Sequence, residues 1–143
     1  MKYHQGYFVP QNPEKYKGRK DTIIYRSSWE KLVMSWLDKN NSVISWSSEE
    51  LIIEYICKTD NKKHRYFPDF VANIMDKNGV LKTYIIEVKP YSQTKPPRKN
   101  SKQYLNESLT FIKNQSKWAQ AKAYAEARGY IFMILTEKNL GIN

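Results

Sequence analysis

The stretch KHRYFPDFVANIMDKNGVLKTYIIEVKPY, residues 63–91, decides the fold because it encodes a β-hairpin. Two runs rich in β-branched and aromatic residues flank the turn DKNG, which is typical of paired strands. A three-residue loop, residues 77–79, lets Gly79 adopt the left-handed conformation of a bulged turn. Asp76 then pairs with Val80, and this turn sets the register of the whole hairpin.

Three charged residues lie inside the hairpin, although strand interiors usually exclude charge. In the predicted register Asp69 lies opposite Glu87, and Lys89 falls on the same face two residues further on. A slip of one residue would scatter these charges and spoil the opposite, apolar face. That face carries Phe70, Ala72, Ile74, Tyr84, Ile86 and Val88.

Two carboxylates within reach of each other repel unless they are protonated or bridged by a cation. Mg²⁺ prefers oxygen ligands and takes one or two protein carboxylates, and the carbonyl of Val88 is a candidate further ligand. Lys89 would then orient water or stabilise transition-state charge. The residues alone leave a second interpretation open, a solvated cross-strand ion pair.

Composition indicates a single basic domain. The chain has 143 residues and a net charge of +10, from 24 Lys and Arg against 14 Asp and Glu. This excess favours a polyanionic partner, with nucleic acid first and an anionic membrane surface second. The lone cysteine, Cys57, excludes an internal disulfide and is expected to be a small buried residue in a reducing compartment. No signal peptide or membrane span is evident, which predicts a soluble intracellular protein.

The remaining pattern predicts a mixed α/β domain at residues 21–143, preceded by an irregular basic and aromatic arm at residues 1–20. Ser27 is expected to cap a helix that carries an apolar stripe of Trp29, Leu32, Val33, Trp36 and Leu37. A meander of four strands is predicted at 42–46, 51–58, 65–75 and 80–89. Two helices at about 101–114 and 116–128 follow, then a nearly all-apolar strand at 130–136, expected at the sheet centre.

With these motifs in place, PD at 68–69 and EVK at 87–89 resemble the PD-(D/E)xK nuclease superfamily. An acid on a preceding helix, Glu30, extends the likeness toward the end-cleaving endonuclease subunit of heteromeric cut-and-paste transposases. A narrower resemblance, to the head-completion nuclease family of T-even-like tailed bacteriophages, covers nearly the whole chain. It rests on the segments GYFVPQNPEKYKG, IIYRSSWE, HRYFPDF, IIEVKP, KWAQAKAYAEARGY and FMILTE.

The resemblance implies a restriction-endonuclease-like fold, a central mixed sheet flanked by helices. It implies hydrolysis of DNA phosphodiesters with Mg²⁺ as cofactor and Mn²⁺ as its expected substitute. It also implies trimming of packaged DNA at the portal before later head proteins attach. Asp69 and Glu87 match the two metal ligands of the motif, and Lys89 matches its lysine. The implied location is the cytoplasm of the infected bacterial host, or the virion head.

Glu30 supports two interpretations. As the third residue after Ser27 it completes the pattern of a capping box, in which its carboxylate returns to the Ser27 backbone. The resemblance instead favours a metal ligand or a water-orienting acid at this position.

Basic residues near the hairpin are predicted to contact the DNA backbone, which positions DNA without reading its sequence. They are Lys95, Arg98, Lys99 and Lys102 after the motif, and Lys17, Arg19 and Lys20 in the arm. His64 has no Cys pair and no partner at zinc-binding spacing, so it is expected to be a turn residue or a phosphate contact. Glu49 and Glu50 are expected to be solvated.

Two other functions stay open at this point. One is a structural head or portal-binding protein whose nuclease site is inactive or secondary. The other is a superfamily nuclease that serves transposition, restriction, repair or junction resolution. The intact set of Asp69, Glu87 and Lys89 favours an enzyme over the structural protein.

Overall fold

The fold is a mixed α/β arrangement around a central sheet, as predicted, in a computed structural model that describes residues 4–142. Single turns of 3-10 helix lie at Pro13–Lys15 and Tyr91–Thr94. The strands and α-helices of the described range are β1 (Gly6–Tyr7), β2 (Ile24–Tyr25), α1 (Ser28–Lys39), β3 (Val43–Ser48), β4 (Ile53–Cys57), β5 (Lys62–Tyr66), β6 (Phe70–Met75), β7 (Leu81–Val88), α2 (Tyr104–Arg128), β8 (Ile131–Leu135) and α3 (Glu137–Leu140).

The central sheet has the order β3-β6-β7-β8, with β8 parallel to β7 and the other pairs antiparallel. The predicted hairpin register is confirmed: Phe70 pairs with Ile86, and Met75 with Leu81. Gly79 has φ +77°, the left-handed conformation that the bulged turn requires. The turn therefore places residue 69 beside residue 87 at the other end of the hairpin.

Helices cover both faces of this sheet. On one face α1 packs against the apolar side of the hairpin, where Phe70 and Ala72 are fully buried. On the other face α2 packs against β4, β5 and Ile85 through residues such as Trp118 and Ala121. The odd-numbered hairpin positions, including Glu87, therefore face the side on which α2 lies.

Three features of the predicted sheet are wrong. The four strands do not form a meander, because within residues 4–142 β4 and β5 pair only with each other and β3 pairs with β6. The third predicted strand is two strands, since β5 ends at Tyr66 and β6 begins at Phe70. Pro68 lies between them, where it has no N–H to offer a ladder. The last strand, β8, lies at the edge of the sheet and not at its centre.

The two predicted C-terminal helices are one continuous helix, α2, of 25 residues. No Gly or Pro lies within it, so nothing in the sequence ends the helix near residue 115. Ser116 stays helical while its hydroxyl donates to the Ile112 carbonyl at 3.0 Å. Gly129 ends α2 in the left-handed conformation, as predicted.

Helix α1 has the predicted N-cap, Ser27, whose hydroxyl accepts the Glu30 N–H at 3.1 Å. Its buried stripe is rotated from the predicted one, because Met34 is buried while Leu32 and Trp36 are about half exposed. Leu32 and Trp36 instead line an open apolar groove of about 950 Å³ beside the β7–β8 edge.

The segment predicted as an irregular arm contains a short strand, since Gly6–Tyr7 pairs with β2. Tyr16 is buried and packs edge-on against Trp46 with ring centroids 4.7 Å apart. The buried Asp38 carboxylate accepts the backbone N–H groups of Gln11 and Asn12 at 2.8 and 2.9 Å. Residues 1–3 of the arm lie outside the described range, and the division into an arm and a domain stays a prediction.

Candidate active site

Asp69 and Glu87 meet at the end of the β6–β7 hairpin. Asp69 immediately precedes β6, and its Oδ2 accepts the backbone N–H of Val88 at 2.7 Å. Glu87 lies in β7, is only 6% exposed, and directs its side chain toward the same face. Tyr66, at the end of β5, donates its hydroxyl to Glu87 Oε1 at 2.5 Å. The carboxylates are thus held by a backbone amide and a phenol.

Electrostatics at this pair raise the pKa of both acids when no cation is bound. Burial is the largest influence and raises the pKa of both carboxyl groups. The negative charges of Glu87 and Glu30 raise the pKa of Asp69 further, to well above its ordinary value. Burial and the adjacent Glu87 also raise the pKa of Tyr66, so this phenol stays a hydrogen-bond donor. Two buried acids with raised pKa values are a common feature of functional sites.

Lys89 lies beside the pair, with its Nζ 3.6 Å from Glu87 Oε2. Its backbone N–H donates to Leu135 of β8 at 2.9 Å, which anchors the residue at the sheet edge. The three motif residues are therefore brought together as the hairpin register predicts. Their roles in catalysis and metal binding, and that of the Val88 carbonyl, stay predictions.

Glu30 does not complete the capping box that the sequence suggests, and its role as metal ligand or water-orienting acid stays a prediction. Its Oε1 accepts the Arg26 N–H at 3.3 Å, so the carboxylate returns to Arg26 and not to the Ser27 backbone. Burial is the first cause that raises the pKa of Glu30, and the charges of Glu49 and Glu87 also contribute. The charges of Glu30, Asp69 and Glu87 therefore influence one another, which indicates that Glu30 lies near the carboxylate pair.

Lys117 is a site residue that the sequence analysis missed. It projects from the middle of α2, with its Nζ 5.6 Å from the centre of the Tyr66 ring. Burial lowers the pKa of Lys117 most, and Lys113 lowers it further, whereas Glu87 and Asp69 raise it. The helical period alone did not reveal it, because only the packing of α2 over β5 shows which lysines face the acids. Tyr66 was missed for the same reason.

Glu49 differs from the expectation of a solvated acid. Arg26 donates to both of its carboxylate oxygens, at 2.8 and 3.0 Å. Its backbone has φ +56°, and its N–H donates to the Asp69 carbonyl at 3.1 Å. Arg26 and Glu49 thereby connect the start of α1 to the segment that carries Asp69.

The basic residues predicted to bind DNA are on the surface. Those after the motif lie in the loop that leaves β7 directly behind Lys89 and leads to α2. Those in the arm are also exposed, and Arg19 is 3.5 Å from Asp21. DNA contact stays a prediction for the exposed residues Lys95, Arg98, Lys99, Lys102, Lys17, Arg19 and Lys20.

Comparison with known proteins identifies the class to which this fold and site belong. The family model described as TnsA-like endonuclease N terminal matches residues 40–137, a range that includes Asp69, Glu87 and Lys89, and the chain belongs to this endonuclease family. A particular relative is the Head completion nuclease of Enterobacteria phage T4. The chain is 42% identical to it over 144 residues, which cover 96% of this chain and 93% of that protein. The nuclease assignment made from the sequence is thereby confirmed.

None of the helices in the part of the chain that the structure describes is long and apolar enough to cross a membrane.

Proposed function

We propose that the chain is a divalent-metal-dependent endonuclease that hydrolyses phosphodiester bonds of double-stranded DNA during phage head completion. The observation that carries this proposal is the buried pair of Asp69 and Glu87, held together on adjacent strands beside Lys89. Mg²⁺ is the proposed cofactor, and Mn²⁺ is its expected substitute. The proposed role is to trim packaged DNA at the portal before later head proteins attach. Such work would take place in the cytoplasm of the infected host or in the virion head.

The residues at the site fit a hard cation. Asp69 Oδ1 accepts no hydrogen bond from any described residue, and Glu87 Oε2 lies 3.6 Å from Lys89 Nζ. Two carboxylate oxygens are the usual protein share of a Mg²⁺ site. Glu30 and the Val88 carbonyl are the further candidate ligands. The ion would also offset the repulsion and burial that raise the pKa values of the two acids.

Each side chain at the site has a role in the proposed reaction. When bound, Mg²⁺ supplies Lewis acidity toward the phosphate and the attacking water. Lys89 orients the attacking water or stabilises the charge that develops on the phosphoryl oxygens. Tyr66 holds Glu87 through its hydroxyl, and Lys117 adds a second cation from α2. Glu30 orients water or completes the ligand set from the start of α1.

Plasmid nicking tests the proposed activity directly. The purified chain is expected to convert supercoiled plasmid to nicked and linear forms in Mg²⁺ or Mn²⁺, and EDTA is expected to stop the conversion. The reaction is measured on agarose gels over time.

Excess Mg²⁺ added back after EDTA should restore cleavage, which excludes irreversible unfolding as the cause of the loss. If folded protein binds DNA but cleaves nothing in either metal, the enzymatic proposal is rejected. A structural head or portal-binding role would then account for the chain better.

The exposed basic loop should contribute to DNA affinity through phosphate contacts. Each contact that is lost is expected to lower the slope of log binding constant against log salt concentration by about one unit. Arg98→Glu and Lys99→Glu are the variants to test, by fluorescence anisotropy at several salt concentrations. Mg²⁺ is replaced by Ca²⁺ in these titrations to suppress cleavage.

A matched control is Lys77→Glu, an equal charge reversal in the β6–β7 turn. Lys77 is also exposed but lies at the far end of the hairpin, roughly 20 Å from Glu87. Its slope should match that of the wild type. Unchanged slopes for Arg98→Glu and Lys99→Glu would remove this loop from the DNA interface.

A further inference from the structure

A second group of metal-ligating side chains lies in the β4–β5 hairpin, apart from the three motif residues. Cys57, Asp60 and His64 each offer one donor atom, and these atoms all lie within 4.8 Å of one another. His64 Nε2 is 2.8 Å from Asp60 Oδ2. No role in the proposed nuclease reaction requires these three residues. The sequence spacing alone gives no zinc signature here, because the cluster forms only when the hairpin turn folds back.

The backbone of the hairpin explains why the three residues meet. Cys57 and Lys62 form the last pair of the ladder, and the N–H of Asn61 donates to the Cys57 carbonyl at 2.7 Å. Asn61 has φ +56°, so the turn closes tightly and brings Asp60 back over the end of β4. His64 lies opposite Tyr55, with ring centroids 5.7 Å apart. Tyr55 and Cys57 share the buried face of β4, so the imidazole lies beside the thiol.

The donor set is one that suits a borderline transition metal. Thiolate, imidazole and carboxylate are the three usual zinc ligands, and bond lengths of about 2.0 to 2.3 Å put tetrahedral donors roughly 3 to 4 Å apart. Donor atoms within 4.8 Å of one another would need the turn to close slightly to reach this spacing. Burial differs across the set: Cys57 is 1% exposed, whereas Asp60 and His64 reach the surface. A cation can therefore reach Asp60 and His64 from solvent and bind the buried Cys57 thiol beneath them.

Hydrogen bonds within the turn hold two of the three donor groups. The backbone N–H of Lys62 donates to Asp60 Oδ1 at 2.9 Å, which leaves the other carboxylate oxygen facing His64. The Cys57 thiol contacts the Thr59 hydroxyl at 3.0 Å.

We propose that Cys57, Asp60 and His64 form a Zn²⁺-class metal site that clamps the β4–β5 turn, with water as the fourth ligand. The site is distinct from the carboxylate pair in its donor chemistry. It is connected to that pair through β5, because His64 is two residues before Tyr66, which holds Glu87. Zinc at the turn would thus stabilise the strand that supplies the phenol.

Cobalt substitution tests the proposal with a readout that does not depend on nuclease activity. Chelator-treated full-length protein is titrated with Co²⁺, and a sulfur-to-cobalt charge-transfer band in the near ultraviolet is expected to saturate at one equivalent. One equivalent of Zn²⁺ should abolish the band, because zinc outcompetes cobalt at such ligands. A large excess of Mg²⁺ should leave the band unchanged. Cobalt at Asp69 and Glu87 would give no such band, since that pair offers no sulfur.

Ligand variants locate the site. Asp60→Asn and His64→Ala are expected to weaken Co²⁺ binding at least about tenfold, since even loss of a residue that only supports a ligand costs about that much. Cys57→Ser should remove the band. The matched control is Glu54→Gln on the same hairpin: Glu54 is exposed on the opposite face of β4 and pairs with Lys63 at 3.7 Å. Its cobalt affinity should be unchanged.

Two outcomes would overturn the proposal. One is the absence of a sulfur-to-cobalt band in folded wild-type protein. The other is a band whose affinity is unchanged in both Asp60→Asn and His64→Ala, which would mean adventitious binding to the thiol alone. Both variants alter residues that reach the surface, so loss of folding is not expected to obscure the result.

Discussion

Replacing Asp69 by asparagine is expected to lower the rate of plasmid cleavage by at least about a thousandfold, or about 4 kcal/mol of transition-state stabilisation. Asparagine keeps the size of the side chain and can still accept the Val88 N–H, which Asp69 Oδ2 accepts at 2.7 Å. It removes the charge that would attract the cation. The loss should therefore appear in cleavage and metal dependence, measured by single-turnover nicking, and not in folding.

The stability of the Asp69→Asn variant provides an internal check. Burial and neighbouring acids raise the pKa of Asp69 in the folded chain, so above its ordinary pKa of about 4 the folded state holds more protons than the unfolded state. The free energy of unfolding of the metal-free wild type should then fall as pH rises through that raised pKa. The dependence of the unfolding free energy on pH should be weaker in the variant than in the wild type. Urea unfolding at several pH values measures it.

Asp76→Asn is the matched control for cleavage, because it makes the same substitution at the other end of the same hairpin. Asp76 Oδ1 caps the turn by accepting the Asn78 and Val80 N–H groups at 2.9 Å, and asparagine can still accept there. Its cleavage rate should stay within about twofold of wild type, since the turn lies roughly 20 Å from Glu87. Equal activity of Asp69→Asn and wild type would rule out the hairpin pair as the catalytic centre.

The parts of the site that local chemistry determines could be predicted from the sequence. The loop with Gly79 sets the hairpin register, and the register alone brings Asp69 to Glu87 and aligns Lys89 with them. Ser27 as a helix cap follows from equally local signals. These features depend on residues that are near in sequence or joined by one turn.

The features that could not be predicted depend on contacts between distant elements. Pairing of β3 with β6, across the intervening β4–β5 hairpin, is decided by which apolar faces pack together, and strand patterns do not encode it. Tyr66 and Lys117 become site residues only because β5 and α2 cover the face that carries Glu87. Likewise, α1 carries more apolar residues than it buries. The predicted stripe therefore includes Leu32 and Trp36, which are about half exposed.

Trp46→Ala is expected to lower the free energy of unfolding by about 3 to 5 kcal/mol, the usual cost of truncating a buried tryptophan. Trp46 is 1% exposed on β3 and contacts the rings of Phe8, Tyr16 and Phe70. It therefore joins the N-terminal segment to the strand that begins directly after Asp69. The cavity left by the side chain would loosen both the N-terminal segment and that strand. Urea unfolding followed by circular dichroism measures the loss of unfolding free energy.

Trp36→Ala is the matched control, since it removes the same side chain from an α1 position that is 51% exposed. Its cost should stay near 1 kcal/mol or below, because much less apolar area leaves contact with the protein. Trp46→Phe should fall between the two, as it keeps a ring and removes the indole N–H, which has no partner among the described residues. Similar costs for Trp46→Ala and Trp36→Ala would mean that Trp46 does not join the N-terminal segment to the core.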